Sequence, residues 1–129
     1  MKILVIDDMV SMRHVMLHML RSLGHTDIDE AADGLQALNL LNKKRYDLVI
    51  TDFHMPRMDG KQLLKSIRSS KNLADLPVLM ISCEDEKKQI QAIITSDVTD
   101  FILKPFSLQT LERKIEHIEQ LCNPDIQIV

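Results

Sequence analysis

Short apolar runs alternate with helical stripes along the whole chain. Lys2–Ile6, Asp47–Thr51, Pro77–Ser82 and Val98–Leu103 are compact, largely aliphatic and too short for helices. Continuous apolar runs of this kind suit strands covered on both faces, as in a parallel sheet. Thr26–Ala31 is a weaker fifth strand, carried by Ile28 and by its place in the alternation. Between the runs, Val15, Met16, Met19, Leu20 and Leu23 recur at helical spacing, and Gly24 offers a C-terminal stop. Asp33 precedes Leu35, Leu38 and Leu41, and Asp59 precedes Leu63, Leu64 and Ile67. Both aspartates suit an N-cap, where a side-chain oxygen accepts from a free helix amide. Asp85 precedes Ile90, Ile93 and Ile94, and Ser107 caps a last helix whose stripe is Leu108, Leu111, Ile115, Ile118 and Cys122. These stripes assign Met16, Met19, Met80 and Cys122 to the core.

A strand followed by a helix, repeated five times, predicts an α/β fold with right-handed crossovers and an open, doubly wound parallel sheet. Such sheets bind ligands beyond the carboxyl ends of their strands. Asp7-Asp8 follow the first run, Asp52 the third, Ser82 closes the fourth and Lys104-Pro105 the fifth. Each has a plainer reading alone: helix caps, a loop acid, a strand-end serine, a solvated lysine. Their joint placement at four strand ends favours a site.

Carboxylates gathered at one place repel unless a cation neutralises them. A hard divalent ion such as Mg²⁺ takes oxygen ligands and is often held by one or two carboxylates plus a phosphate. A carboxylate is also a nucleophile toward phosphorus, giving an aspartyl phosphate. That transfer chiefly needs charge neutralisation at the phosphoryl oxygens, which Mg²⁺ and Lys104 would supply, with Ser82 as donor.

Composition narrows the classes. The chain has 129 residues, a single-domain length, with 16 lysines and arginines against 19 acids and a net charge of −3. That balance speaks against direct nucleic-acid binding, which rewards clustered positive charge. No apolar run is long enough to span a bilayer, so no membrane insertion is expected. The start, Met1-Lys2-Ile3-Leu4-Val5-Ile6-Asp7-Asp8, reaches acid too soon for a signal peptide. Cys83 and Cys122 make neither a disulfide framework nor a zinc site. The expected location is a reducing, cytoplasmic one. His14 and His18 are four apart on a helix but have no third ligand beside them.

With these residues in place, the sequence resembles the CheY-like response-regulator receiver domains of two-component signalling. The resemblance is carried by Ile3-Leu4-Val5-Ile6-Asp7-Asp8, by Asp52-Phe53-His54-Met55-Pro56-Arg57-Met58-Asp59-Gly60, by Ser82, and by Phe101-Ile102-Leu103-Lys104-Pro105-Phe106. It covers residues 1–122, leaving 123–129 as a tail or the start of a linker. It implies a flavodoxin-like (βα)5 fold with strand order 2-1-3-4-5. It implies that Asp52 is the phosphoacceptor, served by a histidine kinase or phosphotransfer protein. Asp8 is then a direct Mg²⁺ ligand, Asp7 acts through a water, and Asp52 and the His54 backbone carbonyl complete the protein ligands. Lys104 pairs with the phosphoryl oxygens, Ser82 turns toward them, and Phe101 swings inward behind it. The Lys104–Pro105 bond is expected to be cis. The readout face is the fourth helix, fifth strand and fifth helix, with Lys87, Ile90, Phe101, Leu103, Lys114 and His117. It would bind a downstream target protein or output domain, as a monomer or a phosphorylation-dependent dimer. The chain is then a switch that catalyses only its own phosphorylation and dephosphorylation.

Three residues depart from the family pattern. His54 stands two after Asp52, where small polar residues or methionine are usual, and either overhangs the site or faces solvent. Cys83 follows Ser82 where alanine or glycine is preferred, and its bulk would slow transfer from small donors. Asp97 sits where a turn glycine is common, which suggests a positive φ. These departures keep open a degenerate receiver that acts as an interaction module without phosphorylation. A Mg²⁺-dependent aspartyl-phosphate phosphatase is a further alternative, weakened because such enzymes carry a second acid where His54 stands. Asn123-Pro124 ends the last helix, and Asp125–Val129 alternates like a strand. That tail reads as a frayed end, a linker to an output domain, or a strand added to a neighbour's sheet.

Overall fold

The computed structural model describes residues 1–83 and 85–122, so the expectations for 123–129 lie outside the described residues. Ten elements alternate: β1 (Ile3–Ile6), α1 (Val10–Ser22), β2 (Ile28–Ala31), α2 (Gly34–Lys43), β3 (Leu48–Asp52), α3 (Gly60–Ser69), β4 (Val78–Cys83), α4 (Lys87–Ile94), β5 (Asp100–Lys104) and α5 (Leu108–Cys122). All strand pairs are parallel, in the order β2-β1-β3-β4-β5.

Successive strand residues point to opposite faces, and both faces are covered. Leu4, Ile6, Val49, Val78 and Met80 pack with Ala37, Leu41, Leu63, Leu64, Ile67 and Ile93 of α2, α3 and α4. Ile3, Val5, Leu48, Ile50, Leu79, Ile81 and Ile102 pack with Met16, Leu17, Leu20, Leu111, Ile115 and Ile118 of α1 and α5. Two buried faces are why the runs are apolar throughout rather than alternating.

Local chemistry sets the element ends. Asp33 Oδ1 accepts from Gln36 N at 2.8 Å. Asp59 Oδ1 accepts from Gln62 N at 2.8 Å, and Gln62 Oε1 accepts from Asp59 N at 3.0 Å, a capping box. Ser107 Oγ accepts from Thr110 N at 3.1 Å. Gly24 stops α1 at φ +93°, in the left-handed region. At α4 the N-cap is Glu86 rather than Asp85, and it makes no side-chain cap bond.

Several expectations are corrected. Val15, Leu35 and Ile94, assigned to apolar stripes, are half exposed. Cys122 is exposed rather than in the core, because the α5 stripe has nothing left to bury after Ile118. Asp97 is not at positive φ: among the described non-glycine residues only Arg57 is, at φ 66°. The turn before β5 is tied instead by Arg68, whose Nε donates to Asp97 O at 2.9 Å and whose Nη2 donates to Thr99 Oγ1 at 3.2 Å. Its Nη1 reaches Leu76 O at 2.6 Å, so one half-buried guanidinium clamps the loops that precede β4 and β5.

Candidate functional site

The parallel register brings the carboxyl ends of β1, β3, β4 and β5 to one rim. Ile6 pairs with Thr51, Asp52 with Ile81, and Cys83 with Lys104. Asp7 and Asp8 therefore follow β1 beside Asp52, the last residue of β3. Carboxylate oxygens of Asp7, Asp8 and Asp52 all lie within 4.8 Å of one another. Neither Asp7 nor Asp8 is the α1 N-cap; that position is Met9, whose amide donates to Asp7 Oδ1 at 2.9 Å. Asp7 is buried and Asp8 exposed, so the cluster has a closed side and an open one. Arg13 Nη1 donates to Asp7 O at 2.6 Å, while Arg13 Nε pairs with Glu30 at 3.0 Å, which fixes the β1–α1 turn.

Lys104 crosses to this cluster from β5, with Nζ 2.9 Å from Asp52 Oδ1. Burial works against its charge, but the hydrogen bond and charge of Asp52, with Asp7, outweigh that and raise its pKa. Burial pushes the Asp7 carboxyl up, and the nearby Asp52 and Asp8 charges add to the rise against the opposing Met9 amide and Lys104. One ammonium thus faces three crowded carboxylates. An all-oxygen cluster in which the buried member resists ionisation is the donor set that a hard divalent cation fits.

The loop after Asp52 is pinned close to the site. Phe53 N donates to Ile81 O at 2.9 Å and Gly60 N to Phe53 O at 2.7 Å. A Cβ at Gly60 would stand 2.8 Å from Asp52 O and 3.0 Å from Phe53 Cα, so the start of α3 crosses here only as glycine. The Lys104–Pro105 peptide is cis.

Ser82 and Phe101 have other partners than the cluster. Ser82 is 1% exposed and its Oγ donates to Gln89 Oε1 of α4 at 2.9 Å, not to Asp52. Phe101 is partly buried on β5, against the cluster that includes Met80 and Ile93. Lys114 Nζ lies 5.7 Å from its ring centroid and pairs with Asp100 Oδ1 at 3.0 Å. Asp100 Oδ1 also accepts from Phe101 N at 2.8 Å, so one carboxylate holds both. His54 is exposed, yet its Nδ1 lies 3.4 Å from Gln89 Nε2, so its ring rests on α4 at the rim. Cys83 is exposed, opposite Lys104 in the β4–β5 register. Of the expected readout residues, Lys87 and His117 are exposed, and Ile90, Phe101, Leu103 and Lys114 partly so.

Gln89 escaped the reading of the sequence. No motif marks it; the only signal is its place in the first turn of the helix that follows the Ser82 strand. The left-handed backbone of Arg57, in the loop after β3, escaped too, because it is set by the loop and not by the residue's own type.

Residues 3–116 match the family described as the response regulator receiver domain. The chain is 45% identical over 118 residues to chemotaxis protein CheY-3 of Vibrio cholerae, covering 92% of this chain and 91% of that protein. The crystal structure of chemotaxis response regulator CheY4 of Vibrio cholerae superposes with a TM-score of 0.81 at 32% identity, over 91% of this chain and 97% of the other. The receiver domain of sensor histidine kinase PA1611 from Pseudomonas aeruginosa superposes with a TM-score of 0.83 at 28% identity, over 92% and 97% of the two chains. That neighbour has a magnesium ion coordinated in its active-site cleft.

Proposed function

The chain belongs to the response regulator receiver domain family of two-component signalling, and on that premise we propose that Asp52 accepts a phosphoryl group from a histidine kinase or phosphotransfer protein. Members of this family act as signalling switches rather than as metabolic enzymes. Among the described residues no helix is long and apolar enough to cross a membrane. The observation that carries the reading is the Asp7, Asp8, Asp52 cluster with Lys104 Nζ 2.9 Å from Asp52.

In the proposed transfer a carboxylate oxygen of Asp52 attacks phosphorus. The P–O bond forms as the P–N bond of the donor phosphohistidine breaks, and the departing imidazole keeps that electron pair and takes up a proton. Lys104 neutralises negative charge beside the acceptor, and the buried Asp7 and exposed Asp8 hold the rim acidic for a cation. Asp7, Asp8, Asp52 and the His54 backbone carbonyl would hold Mg²⁺. When bound, that ion supplies neutralisation of the phosphoryl oxygens, the main need of such a transfer. Hydrolysis reverses the modification when water attacks the same phosphorus, the bond from phosphorus to the Asp52 oxygen breaks, and inorganic phosphate leaves the free carboxylate behind.

The phosphoryl group adds about −1.5 to −2 charge and three acceptor oxygens next to Ser82. Ser82 turns its hydroxyl toward them, Phe101 follows inward, and the face of α4, β5 and α5 changes what it binds. The receiver occupies residues 1–122, and 123–129 form its tail or the start of a linker.

Intact-protein mass after incubation with acetyl phosphate and Mg²⁺ tests the reading. One added phosphoryl group, absent in Asp52→Asn and in chelator, is expected. No addition despite Mg²⁺ binding would assign the shield to Cys83 and require the cognate kinase. No addition and no Mg²⁺ binding would establish the interaction module instead.

A further inference from the structure

Three elements meet at one side chain. Gln89, in the first turn of α4, accepts from Ser82 Oγ at the end of β4 and approaches His54 Nδ1 in the loop after β3. We propose that Gln89 is a positioning residue that latches the resting state: its amide holds the Ser82 hydroxyl away from Asp52 and so ties α4 to the unphosphorylated site. The proposal rests on the receiver reading, in which Ser82 serves the phosphoryl group.

Ser82 is 1% exposed, and a buried hydroxyl without a partner is costly. The partner it has is the Gln89 carbonyl at 2.9 Å. A serine hydroxyl has one proton to donate. A phosphoryl oxygen on Asp52 therefore competes with Gln89 for that proton, and the two donations exclude each other. The amide oxygen faces Ser82, and its Nε2 lies 3.4 Å from His54 Nδ1.

The helix it belongs to is weakly held. α4 has eight residues, one of them buried, Ile93, and its N-cap Glu86 makes no side-chain bond. By contrast, α3 has a capping box and four buried residues. Near its N-terminus α4 is tied to β4 by Glu86 N donating to Cys83 O at 3.2 Å and by the Gln89 bond. Loss of the Gln89 bond on phosphorylation thus loosens the helix whose face the switch is expected to present. A local exchange of one hydrogen bond becomes a change in a weakly anchored element.

Gln89→Leu keeps the bulk and helix propensity and removes the acceptor. With the latch gone, the resting state loses its hold on Ser82. Apparent affinity for beryllofluoride, a phosphoryl analogue, in the presence of Mg²⁺ should tighten by about fivefold, the size expected of one net hydrogen bond. In a Ser82→Ala background the same substitution should change affinity less than twofold. An unchanged affinity in the single variant would overturn the latch, as would a gain that persists without the Ser82 hydroxyl. Hydrogen exchange of the ligand-free protein is the second measurement. Gln89→Leu should lower protection of the Ile90–Ile94 amides several-fold, and not in the Ser82→Ala background. Equal protection in the single variant would contradict the proposal. If the parent protein binds no beryllofluoride, the receiver reading is what fails, and the exchange comparison still judges the latch.

Discussion

At the carboxyl rim of the sheet Asp7, Asp8 and Asp52 crowd together, and the ammonium of Lys104 pairs with Asp52. At the amino rim Asp29 has a richer set of partners: Tyr46 Oη at 2.5 Å, Lys44 Nζ at 3.5 Å and Lys2 Nζ at 3.9 Å. The two buried-to-half-buried aspartates respond in opposite directions. Burial, reinforced by neighbouring carboxylates, raises the pKa of Asp7. The Tyr46 hydrogen bond, aided by Lys44 and Lys2, lowers that of Asp29 against its own burial. The same acid, built into the same sheet, supports the fold at one end and is held at a cost at the other. The difference marks the carboxyl rim as the end where carboxylates are crowded rather than individually paired.

The strongest way to break this contrast is Asp52→Asn, which should abolish phosphoryl incorporation completely, whereas Asp29→Asn should leave it unchanged; intact mass reads both. Next in size is the response to Mg²⁺. At a concentration about 100 times its Kd the ion should stabilise the protein by about 2.7 kcal/mol, seen as a rise in Tm that chelator reverses and Asp8→Asn abolishes. Ca²⁺ or Mg²⁺ added to the Asp8→Asn protein should then give no rise.

Smaller effects separate the rims by sign. Tyr46→Phe should cost about 1 kcal/mol in urea denaturation, the value of a bond to a carboxylate discounted for its partial exposure. Asp7→Asn without Mg²⁺ should instead gain about 1 kcal/mol, because the amide oxygen still accepts from Met9 and the like-charge crowding is gone. The pH dependence is the finest test. Asp29 is lowered, so its stabilisation is present above the ordinary carboxyl pKa of 3.8 and is lost as pH falls below it. Asp7 is raised, so its folded state binds the proton more tightly, and stability falls as pH rises from 3.8 through its elevated value. Asp29→Asn should flatten the acid limb of the stability curve, and Asp7→Asn the limb above it.

Much of this was legible in the sequence because the signals were either periodic or local. Continuous apolar runs predicted strands buried on both faces, and Asp33, Asp59 and Ser107 cap the helices they precede. The rim residues follow from strand ends alone once the sheet is parallel. What escaped depends on partners distant in the chain. Asp97 suggested a left-handed turn, yet Arg68, 29 residues away, secures that turn through its carbonyl. Cys122 kept helical phase with Ile115 and Ile118, but periodicity does not say where the sheet stops offering a surface. The motif gives Ser82 a role toward Asp52, and nothing in the sequence announces that Gln89 accepts from its hydroxyl.

The most direct measurement locates the phosphoryl group among the three carboxylates. Protein treated with acetyl phosphate and Mg²⁺ is reduced with borohydride, which converts an aspartyl phosphate to homoserine, and the peptides are mapped by mass. The account predicts homoserine at position 52 and nowhere else. Conversion at Asp7 or Asp8, with Asp52 intact, would contradict it.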